Sequence, residues 1–165
     1  MKKLLLIAVV IVTIVFSFAQ RVNAQRAFGL RLGDGDFFVA EASYLTALNT
    51  NRFELDLGIG GIPYWLFIST SGSYQWNWNI VGGFYWYAGP AAQVNFLFSD
   101  YADISLGLGV QIGLEYDFSE LNVPILASFD FRPLGHYYLL DNYDYPYDAY
   151  RYFGWSIAIG ARYIF

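Results

Sequence analysis

From Ile104 to Phe118 the chain reads ISLGLGVQIGLEYDF, and its even and odd positions divide without exception. The even positions, Ile104, Leu106, Leu108, Val110, Ile112, Leu114, Tyr116 and Phe118, are all apolar. The odd ones, Ser105, Gly107, Gly109, Gln111, Gly113, Glu115 and Asp117, are glycine or polar. Successive side chains of a strand point to opposite faces, so this spacing predicts a long strand with one hydrocarbon face and one polar or empty face. A helix would mix the two sets around its circumference.

The same period of two returns in seven other segments. Phe28, Leu30 and Leu32 alternate with Gly29 and Arg31; Phe38, Ala40, Ala42 and Tyr44 with Glu41 and Ser43. Phe53, Leu55, Leu57 and Ile59 alternate with Arg52, Glu54, Asp56 and Gly58; Tyr74, Trp76 and Trp78 with Ser73, Gln75, Asn77 and Asn79. Phe84, Trp86, Ala88, Ala92, Val94 and Phe96 oppose Gly89, Gln93 and Asn95. Ile125, Ala127, Phe129 and Phe131 oppose Ser128, Asp130 and Arg132, and Ile157, Ile159, Ala161, Tyr163 and Phe165 oppose Ser156, Gly160 and Arg162. Between them, Gly33-Asp34-Gly35-Asp36 has the composition of a hairpin turn. Leu48–Asn51, Ile80–Gly83 and Ser119–Asn122 are also short links, whereas Gly61–Phe67 and Leu134–Gly154 read as longer, irregular loops. With the first strand rising from the periplasmic side, the three uniformly short links share that side and the longest loop faces outward, as in membrane barrels.

Eight strands close equally well into a soluble up-and-down barrel, which buries its apolar face and wets its exterior. Here the repeating apolar face carries Trp and Phe at strand ends while the other holds Arg, Glu, Asp, Gln and Gly, and 21% of residues are aromatic, with 15 Tyr, 15 Phe and 5 Trp. Turning the charged face inward is stable when lipid bathes the outside. The expected fold is therefore all-β, an eight-stranded antiparallel up-and-down transmembrane β-barrel. A secreted β-sandwich would leave its charges on the outer faces and gives no account of the chain's aromatic end.

Lys2 and Lys3, the apolar run Leu4–Phe18 and the small-residue pattern Val22-Asn23-Ala24 describe a secretory leader. Ser17-Phe18-Ala19 offers a second cleavage site. The apolar run is shorter than the ~20 residues of a spanning helix. The expected organisation is a signal peptide over 1–24 and one barrel domain over 25–165. Losing Lys2, Lys3 and Arg21 leaves arginine as the only basic residue, against fourteen acids. An acidic chain without a basic stripe is a poor nucleic-acid partner. With no cysteine, disulfides and thiol chemistry are excluded.

The predicted lumen then contains Arg31, Arg52, Arg132 and Arg162 facing Glu41, Glu54, Asp56, Glu115, Asp117 and Asp130. Buried charges must be paired, so the favoured reading is a salt-bridge plug that holds the barrel's shape. The alternative is a small porin-like channel, with Gly29, Gly58, Gly60, Gly89, Gly107, Gly109, Gly113 and Gly160 leaving space. A third reading is a lipid A-modifying enzyme. It would depend on the lone His136, placed at the mouth of the last loop with no serine within several residues of it, and so no nucleophile–base pair from its own stretch. No catalytic, cofactor-binding or metal-ligating set is expected. In the last loop, Asp141, Tyr143, Asp144, Tyr145, Tyr147 and Asp148 offer carboxylates and aromatic faces to a cation or a sugar, without EF-hand spacing. An aromatic girdle at headgroup level accounts for the same tyrosines.

The chain's end resembles the assembly signal of bacterial outer-membrane β-barrels: Phe165 is terminal, Tyr163 stands two before it and Gly160 five before the end. Ala158 occupies a position that is usually polar in that pattern. In size and strand count the mature chain is similar to the OmpA/OmpX-like small barrels of the porin superfamily. The resemblance implies a Gram-negative outer membrane, its lipid as surroundings, the barrel assembly machinery as partner during biogenesis, a monomeric barrel, and no cofactor. Deleting Phe165 is expected to slow insertion more than it destabilises the finished barrel. Pulse-chase assembly of the truncated chain at the full-length rate would contradict this.

Overall fold

The structure, a computed structural model, describes residues 25–35, 38–48, 51–62, 65–98, 102–138 and 153–165. They form eight strands: β1 Arg26–Gly35, β2 Val39–Leu48, β3 Asn51–Ile62, β4 Trp65–Val81, β5 Phe84–Phe98, β6 Ala102–Asp117, β7 Ile125–Tyr138 and β8 Gly154–Ile164. Each pairs antiparallel with the next, and β8 returns to β1 to close the barrel. Across that closing seam Phe28 faces Tyr163 and Leu32 faces Ile159, and the Phe165 amide donates to the Arg26 carbonyl at 2.9 Å.

Alternation decides which way each side chain points, and the outcome is a protein turned inside out. Leu30 and Leu108 keep 64% and 71% of their surface on the outside, while Arg31 and Glu54 keep 1% each within the barrel. A wall of this kind suits hydrocarbon, because closure leaves no strand edge and satisfies the backbone polar groups strand to strand. Aromatic rings gather outside near the terminal end, the one that carries Gln25 and Phe165. Trp78 stacks on Trp86 at 4.3 Å, and Phe84, Tyr116 and Phe118 meet edge to face. These are positions for a ring belt at a membrane interface.

The turns at this terminal end are compact. Gly82, at φ +52°, takes the left-handed step between β4 and β5, and the Asn79 amide donates to its carbonyl at 2.7 Å. A 3-10 turn over Phe118–Leu121 joins β6 to β7. The Asp117 carboxylate accepts from the Ser119 amide at 2.8 Å to start it, and Asn122 at φ 61° stops it.

At the opposite, loop end the strands are longer than the sequence pattern suggests. Gly61–Phe67 is no irregular loop: β3 runs to Ile62 and β4 begins at Trp65. Likewise β7 continues through Leu134 to Tyr138, so the final loop is shorter than Leu134–Gly154. The first turn shrinks too, since Gly33, Asp34 and Gly35 belong to β1. The reason is amplitude. Through β4 the alternation persists as Ser69, Ser71 and Ser73 inward against Ile68, Thr70 and Gly72 outward, a contrast too weak to stand out as hydropathy.

Two prolines sit within the wall. The β4–β5 ladder pauses between the Ser73–Ala91 and Trp76–Ala88 pairs, beside Pro90. The β6–β7 ladder pauses between Gly109–Leu134 and Ile112–Phe131, beside Pro133. Proline has no N–H to give to a rung. At the first pause the strands close in: a Cβ on Gly89 would lie 1.8 Å from the Tyr74 carbonyl oxygen, so only glycine fits.

A closed barrel with this many rungs resists detergent until heated. The protein is expected to migrate at different apparent sizes in unboiled and boiled SDS samples, and identical mobility would contradict the closed wall.

Candidate functional site: the polar lumen

Inward positions of β1, β2, β3, β7 and β8 bring charged and hydroxyl side chains to one knot inside the barrel. Arg31 of β1 is its centre: its guanidinium pairs with Glu41, Asp130 and, at 3.1 Å, Asp56, and its Nε lies 3.6 Å from Glu54. Arg162 of β8 binds Glu54 and donates to Ser43 and Ser128, both at 2.8 Å. Arg132 of β7 reaches Asp56 at 2.6 Å, Ser71 at 2.7 Å and Gln111 at 3.3 Å, with Glu41 at 3.5 Å. Glu54 gathers further donors, Gln75 and, at 3.2 Å, Gln111, besides the Ser43 hydroxyl at 3.0 Å.

A second cluster lies nearer the terminal end. Arg52 pairs with Glu115, donates to Gln75 at 3.1 Å and stands 5.1 Å from the Tyr87 ring centroid. Asn77 donates to Glu115 at 3.2 Å. Gln75 and Tyr87 tie this cluster to the first, for the Tyr87 hydroxyl donates to Asp130 at 3.2 Å. Four guanidiniums thus meet five carboxylates, and the barrel supplies the serines and amides that take up remaining donors and acceptors. Burial of such charges is tolerated only with this pairing, and removing one partner is far costlier than never having built the pair.

Asp117 stands apart from these clusters, contrary to the sequence expectation. It is the last residue of β6, half exposed at the rim, where its carboxylate starts the 3-10 turn and lies 3.5 Å from the Gln25 amide. Parity placed it on the inward face, but the strand ends there. His136 is also displaced from its expected setting. It lies within β7, opposite Gly107, with its ring over that glycine. Tyr163 and Phe165 face outward and Gly160 inward. Asp141, Tyr143, Asp144, Tyr145, Tyr147 and Asp148 lie outside the described residues.

Several lumen glycines are seats for neighbouring side chains. A Cβ on Gly113 would lie 2.4 Å from the Tyr87 ring; on Gly160, 2.6 Å from the Ser128 hydroxyl and 3.0 Å from Arg31 Cγ. Gly60 is filled by Phe67, Gly107 by His136, and Gly58 by Ser69, Val39 and Glu41. Toward the terminal end Ala27, Leu45 and Leu126 pack with Ile164 into a small apolar floor. Among the described residues no group of three or more carboxylate or imidazole side chains is arranged to hold a metal ion.

Sequence parity alone could have found Tyr87, which sits between outward Trp86 and Ala88. Its aromatic character hid it among residues that otherwise face lipid. Gln75 and Gln111, both fully buried, were legible as polar positions but not as bridges between charges.

Replacing Arg31 with alanine would leave Glu41, Asp56 and Asp130 converging without their central cation. A loss of about 3–5 kcal/mol is expected. Urea unfolding of the barrel in lipid vesicles checks it, and an unchanged midpoint would show that Arg31 is not the keystone of the knot.

No protein-family model matches the chain, and no curated protein matches it. Solved structures do. Neisserial surface protein A (NspA) superimposes with a TM-score of 0.60 at 16% identity, over 86% of this chain and 96% of that one. The N-terminal β-barrel domain of Pseudomonas aeruginosa OprF gives 0.56 at 18% identity, over 86% and 97%. At such identities the likeness is one of fold: the chain is a closed, eight-stranded antiparallel barrel of the transmembrane kind, as its hydrocarbon exterior and charged interior require.

Proposed function

We propose that this protein is an integral barrel of a Gram-negative outer membrane, non-enzymatic and non-conducting, with a structural or surface-interaction role. In this reading a leader over 1–24 is removed on export, Gly160, Tyr163 and Phe165 serve the barrel assembly machinery, and lipid surrounds a monomer. The β7–β8 connection, with Asp141, Tyr143, Asp144, Tyr145, Tyr147 and Asp148, is the face offered to a surface ligand such as a sugar or a cation. Closure of the sheet supports a monomer, since it leaves no edge strand for a second copy.

The observation that carries the non-conducting reading is the filling of the lumen. Ion-paired side chains occupy its centre, and neighbouring side chains cover Gly58, Gly60, Gly107, Gly113 and Gly160 among the glycines that would have made a passage. The channel alternative loses its main support with that space. The enzyme alternative has only His136 to draw on, and that side chain packs inward over Gly107 instead of standing in a loop.

The test is electrical. Purified, heat-shifting barrel inserted into planar bilayers is expected to add no current steps above the lipid background. Steady single-channel conductance of the folded protein would overturn the reading in favour of the channel.

A further inference from the structure

Besides Arg31 Nε at the centre of the knot, buried lumen atoms without a hydrogen-bond partner among the described residues lie in two groups. Nearer the terminal end are Arg52 Nε, Asn77 Oδ1 and Glu115 Oε2; nearer the loop end are Asp56 Oδ1, Ser69 Oγ and Arg132 Nε. All but Asn77 belong to residues more than nine-tenths buried. Each group mixes donors with acceptors, which is the chemistry of a site for water, and an unsatisfied buried polar atom is costly enough to demand one. Between the groups lie the pairs of Arg31 with Glu41 and Asp130 on one side of the barrel and, next to Gln111, one large aromatic side chain on the other.

That side chain is Tyr87. Between the Tyr85–Glu115 and Gln93–Gly107 pairs, β5 and β6 turn inward only Tyr87, Gly89, Ala91, Gly109, Gln111 and Gly113. The arginines reach in from β1, β3, β7 and β8, so the β5–β6 sector is left to the phenol and to Gln111, which donates to Glu54 and accepts from Arg132. Its ring lies over Gly113, whose missing Cβ would collide with it, and crosses β6 until the hydroxyl meets Asp130 on β7. On its other side the ring takes the Arg52 guanidinium. Arg52, Tyr87, Asp130 and Arg31 therefore form a chain of contacts from β3 through β5 and β7 to β1.

We infer that Tyr87 is the septum of the lumen: it separates two internal water sites, one toward each membrane face, and without its ring they join into a continuous wet path. The inference rests on the closed-lumen reading above and assigns the seal on the β5–β6 side to one residue. The ring does the sealing and the hydroxyl only anchors it. Tyr87→Phe therefore stays tight, whereas Tyr87→Ala leaves that sector with nothing larger than alanine except Gln111.

The experiment compares wild type, Tyr87→Phe, Tyr87→Leu and Tyr87→Ala in planar bilayers, each first shown to be folded by its heat-dependent gel mobility. Wild type and Tyr87→Phe are expected to be silent, Tyr87→Ala to give discrete current steps, and Tyr87→Leu smaller ones. Should the alanine barrel fail to fold, the leucine barrel alone decides. A silent wild type with folded but equally silent Ala and Leu variants overturns the septum alone; a conducting wild type overturns the closed lumen and the septum together.

Discussion

The pairing of Arg31 with carboxylates from three other strands is the constraint on which the rest depends. The wall of this barrel is held by backbone rungs and wetted by hydrocarbon, so hydrophobic burial between its strands cannot fix their arrangement. What distinguishes one closure of eight strands from another is inside. Glu41 on β2, Asp56 on β3 and Asp130 on β7 must all reach one guanidinium on β1. A slip of one residue in any of those strands would turn a carboxylate out into lipid and bring a hydrocarbon side chain in. Charge pairing here contributes specificity of register more than net stability, in line with the general balance of buried ion pairs.

Small and large residues are arranged to serve that pairing. Guanidiniums and a phenol need lateral room that an eight-stranded lumen lacks when every inward position bears a side chain. The chain answers by placing glycine next to several bulky groups: Gly160 beside Arg31 and Arg162, Gly113 beneath Tyr87, Gly107 beneath His136. Glycine content thus measures how much its neighbours fill the lumen, the reverse of its reading as empty space.

Much of this was legible in the chain. The period of two located eight strands, and parity sent Arg31, Glu54, Asp56, Asp130 and Arg162 to one interior before any contact was known. What escaped had identifiable physical causes. The loop end of β4 was lost because serine, threonine and glycine alternate there with little hydropathy contrast, and that of β7 because inward Leu134 and outward Gly135 break the apolar-out rule. Asp117 was misplaced because parity says which face a residue takes but not where a strand stops, and it became the cap of a turn. Tyr87 escaped because a ring with a hydroxyl suits lipid interface and ionic interior alike. The glycine seats could not be read at all, since they depend on which residues meet across strands.

The seam between β1 and β8 joins the first and last parts of the described barrel, with the amide of Phe165 bonded to the carbonyl of Arg26. This sets an order of events in time. Until the final strand arrives, β1 has an open edge, Glu54 lacks Arg162, and Arg31 has no Asp130 unless β7 is also in place. Half a barrel would hold unpaired charges and bare backbone in hydrocarbon, so a stepwise entry, strand by strand, meets its steepest cost at the start and its whole return at the end. Insertion of this chain is therefore an event of the complete polypeptide, and a chain cut short before β8 has no partial version of the structure to fall back on.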